Sequence, residues 1–281
     1  ALLAAPVLVV VVPLFYLARE VGSPGAVTDD GGLRYADRGG VHAPVTAAVA
    51  GGVGLHAADA LAAGDHTLVH AGAEYDIAVE SDRSVAVEVP AQQVSGVRGR
   101  TEEAASALGI DPTGIRAVES LPVGRAGETL VVPVSYLEHL TAATPETDAL
   151  GTVFAESDIE RALAFTFDTL HERADVHARV FARDGTQQHG DTQQHGVQND
   201  TYSEVAASGI AAAGCGAYLA EFDAFDGDRE ELRIESGHVL DRPAGLTTTL
   251  AERPTVTGSG LVAVDGTVSL PEPTSDDIVE L

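Results

Sequence analysis

Apolar positions along the chain alternate with polar ones in some stretches and give way to long runs of small residues in others. Clean alternation over 73–80 and 84–90 predicts two strands, each with one buried face. Strands over 66–70 and 33–38 lie upstream of them. The segment 43–61 reads as a helix, with Pro44 in its first turn, where a missing N–H is no loss. Thr101, followed by Glu102 and Glu103, opens a capped helix over 101–110 whose acids complement the positive helix end. The pattern then starts again. Strands are predicted over 116–120, 129–134, 162–168 and 176–182, with short helices over 136–140 and 156–161. A second small-residue helix spans 208–222, and strands over 231–236, 245–250, 254–264 and 267–270 follow it. The apolar stretch 1–18 could be read as a membrane span or a signal sequence. Pro6 and Pro13 interrupt it and no basic stretch precedes it, so a buried strand over 7–12 and a helix over 14–21 are expected.

Both long helices, 43–61 and 208–222, are crowded with Ala and Gly. Each Gly costs about 1 kcal/mol in an exposed helix interior. That cost makes sense where surrounding backbone must approach the helix closely. The expected fold is therefore α+β, in two similar halves, each a curled, mainly antiparallel sheet around a central Ala/Gly-rich helix. The first half is expected over 1–110, with 262–281 returning to it, and the second over 111–261.

Charge narrows the function classes. Net charge is −27, from 43 acidic residues against 16 basic ones, and every basic residue is Arg. Phosphate backbones and anionic membrane surfaces would be repelled, so neither nucleic acid nor membrane is an expected partner. A surface of this kind suits a salt-rich cytoplasm, where screening removes self-repulsion. The single cysteine, Cys215, permits no intrachain disulfide and sits among Ala and Gly as a small buried residue. The duplicated TQQHG at 186–190 and 192–196 brings His189 and His195 into a Gln/Gly-rich stretch with little carboxylate support, a weak metal signal; no metal is expected.

Stretches spread along most of the chain carry a resemblance. They are LAREVG (17–22), LRYADR with VHAPVTAA, LVVPVSYLEHL (130–140), LAFTFDT (163–169), DVHARVFA (175–182), GAYLAEFDAFD (216–226), LRIESGHVLDRPAGLTTTL (232–250) and VAVDGTVSLP (262–271). Together they resemble the PhzF-like isomerases, relatives of a phenazine-biosynthesis enzyme that share the diaminopimelate-epimerase fold. The most specific are DVHARVF and GHVLDRP. The resemblance implies a cytoplasmic homodimer without a cofactor, in which an acidic residue moves a proton between carbons of a small carboxylated substrate held in the cleft between the halves. Each central helix would aim its N-terminus at that cleft, and unpaired N–H groups there can hold a carboxylate.

The chain departs from the family pattern where the chemistry lies. Pro24 stands where the family has its catalytic Glu, and Pro has no titratable group. Glu20 is nearby but matches a helix-end charge. His42 best matches the family's His, ahead of Ala43 at the helix start, while another register puts Thr46 there. His56 and His66 read as packing or surface residues. For the acidic loop before the second helix, one register places Glu204 with Ser208 and Gly209 on the motif, and another places Asp200 there. The resemblance thus implies His42, Asp200 and Glu204 as candidates for proton transfer, and Ser208, Gly209 and Ala43 for substrate binding. A relative that binds a small acid without turnover is the alternative.

Overall fold

The computed structural model describes residues 25–27, 33–35, 44–70, 73–96, 101–115, 121–155, 159–183, 202–225 and 229–262. The first part of the chain holds β1 (Gly25–Val27), β2 (Leu33–Tyr35), α1 (Pro44–Ala57), β3 (Gly64–His70), β4 (Ala73–Val79), β5 (Ser84–Glu88) and β6 (Val94–Gly96). Next come α2 (Thr101–Leu108), α3 (Pro112–Ile115), β7 (Gly124–Ala126), β8 (Thr129–Pro133), α4 (Leu137–Thr141) and α5 (Thr147–Ala155). The last part holds β9 (Arg161–Thr166), β10 (Val176–Arg183), β11 (Tyr202–Val205), α6 (Gly209–Glu221), β12 (Glu231–Ser236), β13 (Ala244–Thr249) and β14 (Thr255–Ser259). Expected elements over 7–12, 14–21, 116–120 and 267–270 lie outside the described residues.

Among the described residues the strands form one 14-stranded sheet, in the order β1-β2-β3-β4-β5-β14-β13-β12-β10-β9-β8-β7-β6, with β11 also on β10. Pairing is mainly antiparallel; β2–β3, β8–β9 and β10–β12 are parallel. The expected α+β architecture, with a mainly antiparallel sheet, is present. Between its two parts β14 bonds to β5 on one edge and β13 on the other, so the sheet is continuous, and it is not closed.

The two-part logic survives in the packing. Leu68, Ile77, Val79, Val85 and Val87 of β3–β5 pack with Val45, Ala48 and Val53 of α1. The other face of β4 and β5 meets solvent, so burial alternates along both strands. In the second part both sheet faces are covered. Leu163, Phe165, Val176, Ala178 and Val180 turn towards α6, where Ala211, Ala212, Cys215 and Leu219 fill the space. Ala162, Ala164 and Phe181 turn the other way, onto α2 and α5. This is why β8 and β9 are buried at every position. Although α2 falls within the half expected over 1–110, it packs in this second layer.

A helix not expected from the sequence, α5, precedes β9. Of the acidic segment 156–161, read as helical, 156–158 lie outside the described residues, Ile159 and Glu160 are not helical, and Arg161 opens β9. Leu150, Val153 and Phe154 recur at helical spacing and are buried, which fixes the helix earlier in the chain.

Candidate functional site at the split edge of a central strand

The edge of β10 away from β9 is shared by two strands. Val176–Ala178 pair with β12, and Val180–Arg183 pair with β11. The ends of β11 and β12 therefore converge beside Arg179. There the Ser236 hydroxyl donates to the Ala206 carbonyl at 2.7 Å. Gly237 follows at φ 75°, and a Cβ on it would lie 2.1 Å from the Arg242 carbonyl oxygen and 3.0 Å from that of Ala206. No other residue type fits this corner.

This corner delivers the chain into α6. Ser208 is the N-cap: its Oγ accepts from the Ala211 N–H at 3.3 Å, and its backbone is extended. The N–H groups of Gly209 and Ile210 have no acceptor inside the helix. Gly209 lies against the first turn of α1, where a Cβ would come within 2.3 Å of Val45 Cγ2. The two small-residue helices thus meet at their N-terminal turns, so their positive ends converge. Ser208 and Gly209 are both buried at this junction. Of the other residues implied by the resemblance, His42, Ala43 and Asp200 lie outside the described residues, as do Glu20, Pro24, His189 and His195.

Glu204 is placed elsewhere. Antiparallel partners share a face, and Glu204 is opposite Phe181, whose ring packs in the α2–α5 layer; its neighbour Val205 is opposite Val180 and turns towards α6. Arg179 grips Glu204 through Nε–Oε1 at 2.9 Å and Nη2–Oε2 at 2.7 Å. Its Nη1 donates to the carbonyls of Leu140 and Ala143, which anchors the end of α4. Both oxygens of Glu204 are thereby engaged in a brace on the far face of the sheet.

An acid and an imidazole that sequence reasoning passed over lie next to the split. His177, fully buried, places Nδ1 2.8 Å from Glu235 Oε1. Glu235 also accepts from the N–H groups of Leu170 (2.6 Å) and His171 (3.0 Å). Burial opposes the charge on Glu235, but the N–H of Leu170, then His177 and the N–H of His171 outweigh it, so its carboxyl lies below the usual range. A carboxylate only accepts hydrogen bonds, so Nδ1 of His177 carries the proton. Its Nε2 is buried without a hydrogen-bond partner, and the ring lies 5.1 Å from that of His238. The signal was in the sequence: His177 stands within DVHARVF, and Glu235 lies two residues ahead of GHVLDRP.

The remaining histidines expected to be structural are so placed: His56 Nδ1 lies 2.9 Å from the Leu61 carbonyl, and His66 Nε2 2.8 Å from that of Ala62. Cys215, on the inner face of α6, is buried in the core, which raises its thiol pKa. Among the described residues no group of three His, Cys, Asp or Glu side chains could hold a metal ion, and no helix is long and apolar enough to cross a membrane.

No protein-family model and no curated protein matches the chain. Solved structures do. A PhzF-family phenazine biosynthesis protein of Bacillus anthracis has a TM-score of 0.64 and 19% identity, with 83% of this chain and 79% of that chain covered. A putative phenazine biosynthesis PhzC/PhzF protein from Clostridium difficile gives 0.60 and 10%, with coverages of 86% and 81%. A predicted epimerase from Pseudomonas aeruginosa gives 0.53 and 17%, with coverages of 75% and 68%. The chain therefore has the fold these proteins share, the fold the resemblance implied.

Proposed function

We propose that the protein is a PhzF-like isomerase that moves a proton on a small carboxylated metabolite, without a cofactor, as a cytoplasmic homodimer. The observation that carries this reading is the meeting of the α1 and α6 N-terminal turns at Val45 and Gly209. A substrate carboxylate there takes hydrogen bonds from the N–H groups of Gly209 and Ile210 and from the Ser208 hydroxyl, with Ala43 contributing from the α1 side. The converging helix ends favour its charge. With Pro24 at the family's Glu position and Glu204 held by Arg179, the proton carriers in this reading are His42 and Asp200. A group near neutrality in pKa both takes and returns a proton at the carbon beside the carboxylate.

The same two residues favour a second reading: Pro24 and the engaged Glu204 leave a site that binds a small acid without turnover. Incubation in deuterium oxide with a panel of small amino and hydroxy acids separates the two. Deuterium at a carbon-bound position, read by mass spectrometry and lost in Asp200→Asn or His42→Ala, supports the isomerase. Binding detected by ligand NMR with no exchange in any member of the panel rejects it for the binder.

A further inference from the structure

We propose that a second pocket, on the β12–β13 side of the split, binds a small organic acid independently of the helix junction. The pocket encloses about 370 Å³, room for a molecule of metabolite size. Its walls bring together His171, Arg173, Arg233 and His238, with Ala174 and Pro243 among the apolar lining. In a chain of 16 arginines against 43 acids, two arginines and two histidines line this one concavity.

Two acids nearby, Glu235 and Asp175, are already engaged. Glu235 also lines the pocket, but its oxygens take the N–H groups of Leu170 and His171 and the His177 ring. Asp175 pairs with Arg229 at 2.5 Å and accepts the Arg233 N–H at 2.8 Å. The guanidinium groups of Arg173 and Arg233 have no ion-pair partner among the described residues, and both side chains are exposed at the rim. His238 lines the pocket with its Nδ1 buried and without a hydrogen-bond partner, braced by the ring of His177 behind it. A carboxylate at the rim meets the two arginines, and an apolar body reaches Ala174 and Pro243. This pairing of charge and apolar surface selects an organic acid over inorganic phosphate.

Calorimetric titration of the full chain at fixed ionic strength tests this, with benzoate, its neutral counterpart benzamide, and inorganic phosphate as probes. Benzoate is expected to bind, and benzamide and phosphate to bind roughly tenfold more weakly or worse. The Arg173→Gln/Arg233→Gln variant is expected to lose about tenfold or more in benzoate affinity, whereas Ser208→Ala retains it. Benzoate should also shift the imidazole resonances of His171 and His238 in the unaltered protein. Equal binding of benzoate and benzamide, phosphate binding as tight as benzoate, unchanged affinity in the double Arg variant, or unmoved imidazole resonances would each overturn the proposal. Loss of benzoate binding in Ser208→Ala would place the acid at the helix junction and overturn it as well, whatever the outcome of the deuterium experiment.

Discussion

Two glutamates beside the split in β10 have different duties because they face opposite environments. Glu204 meets a guanidinium that is itself buried, so removing the acid leaves Arg179 charged and without its main partner. Glu204→Leu is expected to lose about 3–5 kcal/mol of stability by denaturant unfolding. The double variant Arg179→Met/Glu204→Leu should be less destabilised than the single one, because no charge is then stranded. A single variant as stable as the parent would show that the pair contributes nothing. Glu235, by contrast, is held by N–H donors, and the consequence is a pH dependence. Its folded pKa lies below its unfolded value, so its contribution is complete above the usual carboxylate range and is lost as pH falls through the lower, folded value. Glu235→Gln should therefore cost about 1.5–3 kcal/mol near neutral pH, the worth of hydrogen bonds to a charged group. It should also flatten the acid limb of a stability-against-pH curve. An unchanged acid limb would mean that other carboxylates set it.

At the scale of elements, the start of α6 is where sequence and site meet. Gly209→Ala forces a methyl group into Val45 and should cost about 1–3 kcal/mol, and Val45→Ala in the same chain should recover part of it. No loss in thermal denaturation would mean that the two helices separate easily. The helix itself was legible in the sequence: a run of small residues after a hydroxyl cap predicts 208–222, and α6 spans Gly209–Glu221 with Ser208 as its cap. The strand predicted over 231–236 is likewise β12. What could not be read depends on partners distant in sequence. Three-residue β6 and β7 have no alternation of their own and exist through their pairing, Val94 with Ala126 and Gly96 with Gly124. The site was half legible for the same reason. Ser208 and Gly209 carry a local capping signature, whereas the face on which Glu204 lies follows from its register against Phe181, and the His177–Glu235 contact joins positions 58 residues apart.

For the whole molecule the governing quantity is the charge of −27 on a chain whose two packed parts share one sheet. Acids far outnumber the arginines that could pair with them, and the mean field is repulsive. Self-repulsion favours any expanded state, and salt shortens its range from about 30 Å at 0.01 M to about 3 Å at 1 M. A seam open to this effect is the β5–β14 ladder, where Glu88 and Arg253 form a partly exposed ion pair beside a wall that also holds Asp65 and Asp76. The melting temperature is therefore expected to rise steeply with potassium chloride through the molar range. At low salt, amide exchange along β4, β5 and β14 should quicken before it does in β9 and β10, which are covered on both faces. A melting temperature indifferent to salt, or uniform loss of protection across all strands, would show that core packing rather than charge limits the stability of this fold.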